Sequence, residues 1–235
     1  MIKIFAKTLL YFICVIGSAY ASNTKFYLGF DASLQDIDID TQKIRLVSSD
    51  GNPTGETENL DSYYKTKSIN PAVFLGLDIA KFLKIEASYS AGLNTKKDED
   101  VDFFYNIAGR KIHPDFVKSS LKHQTISLDF KPYLQLKAID EKLFVFTILG
   151  VSYNKINISE QEQLLGIKTI DTKQTIYKTV PVVGFGAEYL ILPSLSLRTQ
   201  LKYTYFNQST DPIESVYIRK INSITNLNFG VAYYF

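Results

Sequence analysis

Residues 223–235, SITNLNFGVAYYF, carry the chain to its last residue in strict alternation. Thr225, Leu227, Phe229, Val231, Tyr233 and Phe235 fall on one side; Asn226, Asn228, Gly230, Ala232 and Tyr234 fall on the other. Successive side chains of a β-strand point to opposite faces. The stretch therefore predicts a closing strand with one face for an apolar medium and one for a crowded, polar interior.

The same period of two recurs upstream. Turn-rich and charged stretches divide the chain into eight segments, near 25–35, 66–79, 82–94, 123–138, 143–156, 176–191, 195–206 and 223–235. Links at Ala80-Lys81, Ile139–Lys142 and Leu192–Ser194 are short, whereas 36–65, 95–122, 157–175 and 207–222 are long. Short turns alternating with long loops predict an all-β fold, an eight-stranded antiparallel up-and-down transmembrane β-barrel with short periplasmic turns and long extracellular loops.

The faces agree with that reading. Ile126, Leu128, Phe130, Pro132, Leu134 and Leu136 alternate with Ser127, Asp129, Lys131, Tyr133, Gln135 and Lys137. Leu195, Leu197, Thr199, Leu201, Tyr203 and Tyr205 alternate with Ser196, Arg198, Gln200, Lys202 and Thr204. Neither apolar face carries a charge, in a chain that is 21% charged. A Lys or Arg facing mid-bilayer lipid costs about 2–4 kcal/mol, which clears such a face. Ten residues at about 3.4 Å, tilted near 45°, span roughly 24 Å, the height of an outer-membrane apolar band. Tyr89, Tyr153, Tyr177 and Tyr205 fall near the loop ends and Phe26, Tyr189, Tyr233 and Phe235 near the turn ends, as two interfacial girdles. Segment 143–156 is apolar on both faces. Pro71, Pro132 and Pro181 fall inside segments, where each removes a ladder donor, so bulges or strand limits are expected there. Alternation alone also fits a soluble, lipocalin-like barrel with the faces inverted.

The N-terminus predicts export. Lys3 and Lys7 precede the apolar run TLLYFICVIG (8–17) and a small-x-small site at Ala19-Tyr20-Ala21. This is the pattern of a cleaved signal peptide, too short for an anchor. Residues 1–21 are read as signal and 22–235 as a single barrel domain. Cys14, the only cysteine, leaves with the signal, which excludes disulfides and thiolate chemistry from the mature chain. A net charge of +2 gives no reason to expect a nucleic-acid partner.

Two resemblances then enter. The terminal Phe235, with Tyr233 before it and Gly230 five residues back, resembles the insertion signal of bacterial outer-membrane barrels. The stretch GFGAEYLILPSLSLRTQLKYTYF (184–206) resembles the penultimate hairpin of the opacity-protein/OmpA-like small outer-membrane barrels, through Gly184, Gly186, Glu188, Tyr189, Pro193, Leu195, Ser196, Leu197 and Arg198. The resemblance implies a porin-family surface antigen in the outer membrane of a Gram-negative bacterium. It also implies outer-membrane lipid and the barrel-insertion machinery as partners, and host-surface ligands reached through the loops.

The inward face is expected to bring Asp31, Asp78, Glu86, Asp129 and Glu188 against Lys84, Lys131, Lys137, Lys178, Arg198 and Lys202 as a lumen ion-pair network. Glu188 and Arg198, nearly opposite across the Leu192–Ser194 turn, are expected to pair. Catalytic signals are thin. His123 with Thr125 resembles the His-x-Ser pair of eight-stranded lipid A deacylases, but the serine is missing and no acid is placed. A two-histidine metal site of His113 and His123 has only Asp115 as an obvious third ligand. Asp98, Glu99, Asp100 and Asp102 read as a solvated loop. No cofactor is expected, and a monomer is. The leading reading is a non-enzymatic, adhesin-like or antigenic surface barrel presenting loops such as 48–62 and 94–102. The alternatives are a small porin with a charged lumen and an outer-membrane lipid hydrolase.

Overall fold

A computed structural model describes residues 25–44, 57–59, 67–80, 82–92, 95–99, 105–107, 110–112, 116–164, 167–209 and 217–235. Residues 1–21, read above as a signal, together with His113, Asp115, most of loop 48–62 and residues 94 and 100–102 lie outside the described residues. The strands are β1 (Phe26–Ile44), β2 (Thr57–Asn59), β3 (Lys67–Ala80), β4 (Leu83–Ala91), β5 (Thr95–Glu99), β6 (Tyr105–Ile107), β7 (Arg110–Ile112), β8 (Phe116–Gln135), β9 (Leu143–Leu164), β10 (Ile167–Leu192), β11 (Leu195–Ser209) and β12 (Tyr217–Tyr234).

Eight of them close a ring in the order β1-β3-β4-β8-β9-β10-β11-β12, with β12 returning to β1. All eight pairings are antiparallel. The closure reaches the last residue, because the Phe235 amide donates to the Phe26 carbonyl at 2.9 Å. Closure removes the free edge that an open sheet would expose. Following paired residues around the ring from Phe26 leads through Leu77, Ile85, Phe130, Leu149, Val183, Tyr203 and Thr225 to Asp36 on the starting strand. That offset of ten residues over eight strands corresponds to a tilt of about 41°, using a 3.4 Å rise and 4.8 Å spacing.

The outward faces are apolar as expected. Leu34, Leu134, Phe185, Leu197 and Phe229 are exposed, and Phe235 is 73% exposed. Phe26, Tyr189 and Tyr233 stand outward near the turn end, while Tyr89, Tyr177 and Tyr205 stand outward near the loop end. The doubly apolar segment 143–156 resolves with Leu149 and Val151 outward and Phe146 and Ile148 buried. Among the described residues no helix is long and apolar enough to cross a membrane.

Three expectations need correction. The prolines cause no slip in register: Pro71 pairs with Ala32, Pro132 with Leu83 and Pro181 with Val151. Pro71 and Pro181 sit where a neighbouring ladder begins, at Ala72 for β3–β4 and at Val182 for β10–β11, and a donor is not needed there. At Pro132 the β8–β9 pairing is interrupted between Phe130↔Leu149 and Tyr133↔Phe146, while on the β4 side the Tyr133 amide still donates to the Phe82 carbonyl at 2.7 Å. The register shifts fall elsewhere, at Asp38/Ile39, Asp78/Ala80, Lys168/Ile170, Leu190/Leu192 and Tyr205/Gln208.

The second correction concerns strand length. The stretch 157–175, expected as a long loop, is mostly strand: β9 and β10 remain paired up to Leu164 and Ile167. The expected boundaries marked where the outward residues turn polar, as at Asn157 and Ser159. That change marks the edge of the apolar band rather than the end of hydrogen bonding. Third, β8 ends at Gln135, so Lys137 is exposed on the turn and not in the lumen.

Candidate functional site

The lumen is filled in layers. Nearest the turn end, Tyr27, Phe74, Ala232 and Tyr234 form one buried cluster and Tyr133, Phe146 and Ile148 another. These aromatics enclose Glu188 and Lys84. The Lys84 ammonium lies 3.3 Å from Glu188 and 3.8 Å from Asp78, and 4.1 Å from the centre of the Tyr133 ring. Glu188 also accepts hydrogen bonds from the Tyr133 hydroxyl at 2.8 Å and from the Tyr234 hydroxyl. A carboxylate saturated by two phenols and an ammonium can remain charged in a buried site.

One layer further in, Arg198 is the hub. Its Nε and Nη2 donate to Asp31 at 2.9 and 2.5 Å, and its Nη1 and Nη2 donate to Glu86 at 2.5 and 3.3 Å. Lys131 reaches Glu86 at 2.7 Å, and Lys202 reaches Asp129 at 2.5 Å. The side chains of Glu86, Lys131 and Asp129 are wholly shielded from solvent. Gln200, placed by the alternation but not singled out as a partner, ties the two ends together by donating to Asp31 at 3.1 Å and accepting from Lys131 at 3.0 Å.

The register explains why Arg198 does not pair with Glu188, although the two stand opposite on β10 and β11. On its other side Arg198 stands opposite Gly230, and Gly230 stands opposite Asp31. A Cβ built on Gly230 would lie 1.9 Å from the Asp31 carboxylate and 2.4 Å from the Phe30 carbonyl oxygen. The glycine therefore leaves the gap through which Arg198 and Asp31 meet. Glu188 is left to Lys84 and the tyrosines.

Above the ions lies a neutral polar layer. His123 is buried; its Nδ1 faces the Gln35 amide at 2.8 Å, and its Nε2 faces Asn154 at 2.9 Å and the Thr125 hydroxyl at 2.7 Å. Both ring nitrogens are thus engaged by amides and a hydroxyl. A cavity of about 40 Å³ below, lined in part by Asp31, Thr125, Asn154 and Lys202, has room for ordered water and little else.

The lumen is not polar throughout. Toward the loop end, Ile37, Leu121, Ile156, Ile158, Ile176, Val180, Phe206, Ile221 and Ile224 pack into one buried apolar cluster. Lys178, expected in the ionic network, instead lies at this level and donates to the Phe206 and Asn207 carbonyls. Among the described residues, an apolar stopper over a self-neutralised ionic layer closes the interior twice. Among the described residues no cluster of His, Cys, Asp or Glu could hold a metal ion.

A closed wall with an apolar exterior between aromatic girdles and an ionic interior defines a small transmembrane β-barrel. This chain belongs to the OmpA-like transmembrane domain family, which matches residues 22–235. It is similar in fold to Neisserial surface protein A, with 15% identity, TM-score 0.50, and coverage of 89% of this chain and 97% of that one. A major outer membrane protein of Thermus thermophilus aligns at 17% identity and TM-score 0.51 over 91% and 100% of the two chains. The outer membrane protein OprG of Pseudomonas aeruginosa aligns at 13% identity and TM-score 0.53 over 89% and 95%. No curated protein sequence matches the chain.

Proposed function

We propose that this protein is a non-enzymatic outer-membrane surface barrel that works by contact, as an adhesin or surface antigen, through the sheet that projects past its loop-side girdle. The carrying observation is the continuation of β8, β9 and β10 as paired strands to Phe116, Leu164 and Ile167. Leu164 lies eleven residues beyond Tyr153, or about 28 Å along the barrel axis at the tilt given above. β5 extends this sheet by pairing with β8. Above Val182, among the described residues, β10 pairs only with β9. Its other edge offers backbone donors and acceptors to an added strand. The termini and short turns then face the periplasm.

A loop-side contact role also suits the closed lumen, which leaves no route for solutes. Cells displaying the barrel should bind matrix or host-cell surfaces, and Thr175→Pro on the β10 edge should reduce that binding without altering barrel folding. Equal binding after both this change and replacement of loops 48–62 and 94–102 would refute the contact reading. The porin alternative is motivated by the buried charges. Discrete conductance steps of the folded protein in planar bilayers would support it against the closed-lumen reading.

A further inference from the structure

The outer wall carries an apolar groove of about 630 Å³, within the size range of ligand sites. It begins at Leu28 on β1 and climbs obliquely across β3, β4, β8 and β9 to Tyr177 on β10. Its floor is the small Ala87, which stands opposite Leu75 on one side and Leu128 on the other. One flank is the paired row Val73–Tyr89–Ile126–Tyr153. The top is the next outward row, where Gln124 stands opposite Lys155 and Lys155 opposite Tyr177. The Tyr153 and Tyr177 rings stack at 6.2 Å, and the Lys155 ammonium lies 5.7 Å from the centre of the Tyr177 ring.

Charge identifies the occupant. Lys155 follows the girdle residue Tyr153 by two positions on the same outward face, which places its ammonium at headgroup level. Lys122 stands exposed two residues beyond Gln124 on β8. The opposite wall has the reverse sign: β1, four strands from β9 in the ring of eight, presents Asp36, Asp38 and Asp40 outward at its loop end. The groove thus climbs away from those acids and ends under lysines and tyrosine hydroxyls. Such a trough suits an amphiphile with a negatively charged head.

We propose that this groove binds one molecule of anionic phospholipid, with an acyl chain along the Ala87 floor and the phosphate on Lys155, with Lys122 beside it. The proposal rests on the reading of the outer face as lipid-facing, and the test separates the two. Native mass spectrometry of the detergent-folded protein is titrated with phosphatidylglycerol or with phosphatidylcholine of the same acyl chains. One phosphatidylglycerol should be retained preferentially, by about fivefold for each lysine engaged, since a lysine near an anionic surface contributes about 1 kcal/mol. Lys155→Gln with Lys122→Gln should abolish the preference while leaving residual binding of both lipids. Ala87→Leu, which fills the floor, should weaken both lipids alike, and Asp36→Asn should change neither. Equal retention of the two lipids by the unaltered chain would overturn the proposal. So would a preference that survives the double lysine change, or a dimer that Ala87→Leu converts to monomer. Heat-modifiable gel migration shows that each variant is folded; its absence in the unaltered chain would sink the membrane reading itself.

Discussion

Replacing Arg198 with methionine keeps the length of the side chain and removes the charge from the centre of the lumen. The four hydrogen bonds it makes to Asp31 and Glu86 disappear together. Counting each charge-assisted bond separately, at about 1.5–3 kcal/mol, would suggest a loss of roughly 6–12 kcal/mol. That sum is too large, because the acids are not equally abandoned. Glu86 keeps Lys131 at 2.7 Å and the Tyr27 hydroxyl at 3.3 Å. Among the described residues, Asp31 keeps the Gln200 amide at 3.1 Å and no cation. The change therefore strands one buried carboxylate, and breaking a buried pair in that way costs about 3–5 kcal/mol. Adding Asp31→Asn removes the stranded charge, and the double variant should recover at least about half of the loss. Urea unfolding of the protein refolded into lipid vesicles, followed by gel mobility, compares the unaltered chain with both variants. A single-variant cost below about 1 kcal/mol, or no recovery in the double variant, would refute the assigned geometry.

Gly230→Ala forces a Cβ against Asp31 and the Phe30 carbonyl, and should cost about 1–3 kcal/mol in vesicle unfolding, as overpacking does. Because that assay contains no insertion machinery, an unchanged stability there would assign Gly230 to the insertion signal alone. Glu188→Gln should destabilise the barrel less than Arg198→Met, because Lys84 keeps Asp78 and its ring of tyrosines; unfolding midpoints compared side by side check the order. His123→Ala should lower stability by about 1–3 kcal/mol, through the loss of the ring's buried hydrogen bonds to Gln35, Asn154 and Thr125. It should leave the lipid composition of the cells unchanged, and a changed lipid profile by mass spectrometry would instead support a hydrolase.

The barrel was legible because lipid imposes a simple rule on alternate residues. Strands such as 195–206 state it without ambiguity, and the charged positions on their other face are those the structure buries. What escaped the sequence was the reversal of that rule above the membrane. In DIDID (36–40) and KINIS (155–159) the isoleucines are now the inward residues and the polar ones face out. Strand pairing continues through the switch, so a reading keyed to outward grease stops too early. The pairing within the lumen was also beyond reach, because it depends on which side chains meet across the ring. Glu188 and Arg198 are neighbours on the sheet, yet a missing side chain at Gly230 decides Arg198's partner. Tyr133 and Tyr234 gave no charge signal, although both bond to Glu188.

Accessibility of spin labels placed one at a time along β11 measures the orientation of the wall. Labels at Leu197, Thr199, Leu201 and Tyr203 should collide freely with oxygen dissolved in the bilayer, while labels at Ser196, Gln200 and Thr204 should be shielded from both oxygen and aqueous nickel. The opposite phase, or free access of nickel to the odd positions, would show that the apolar face does not meet lipid.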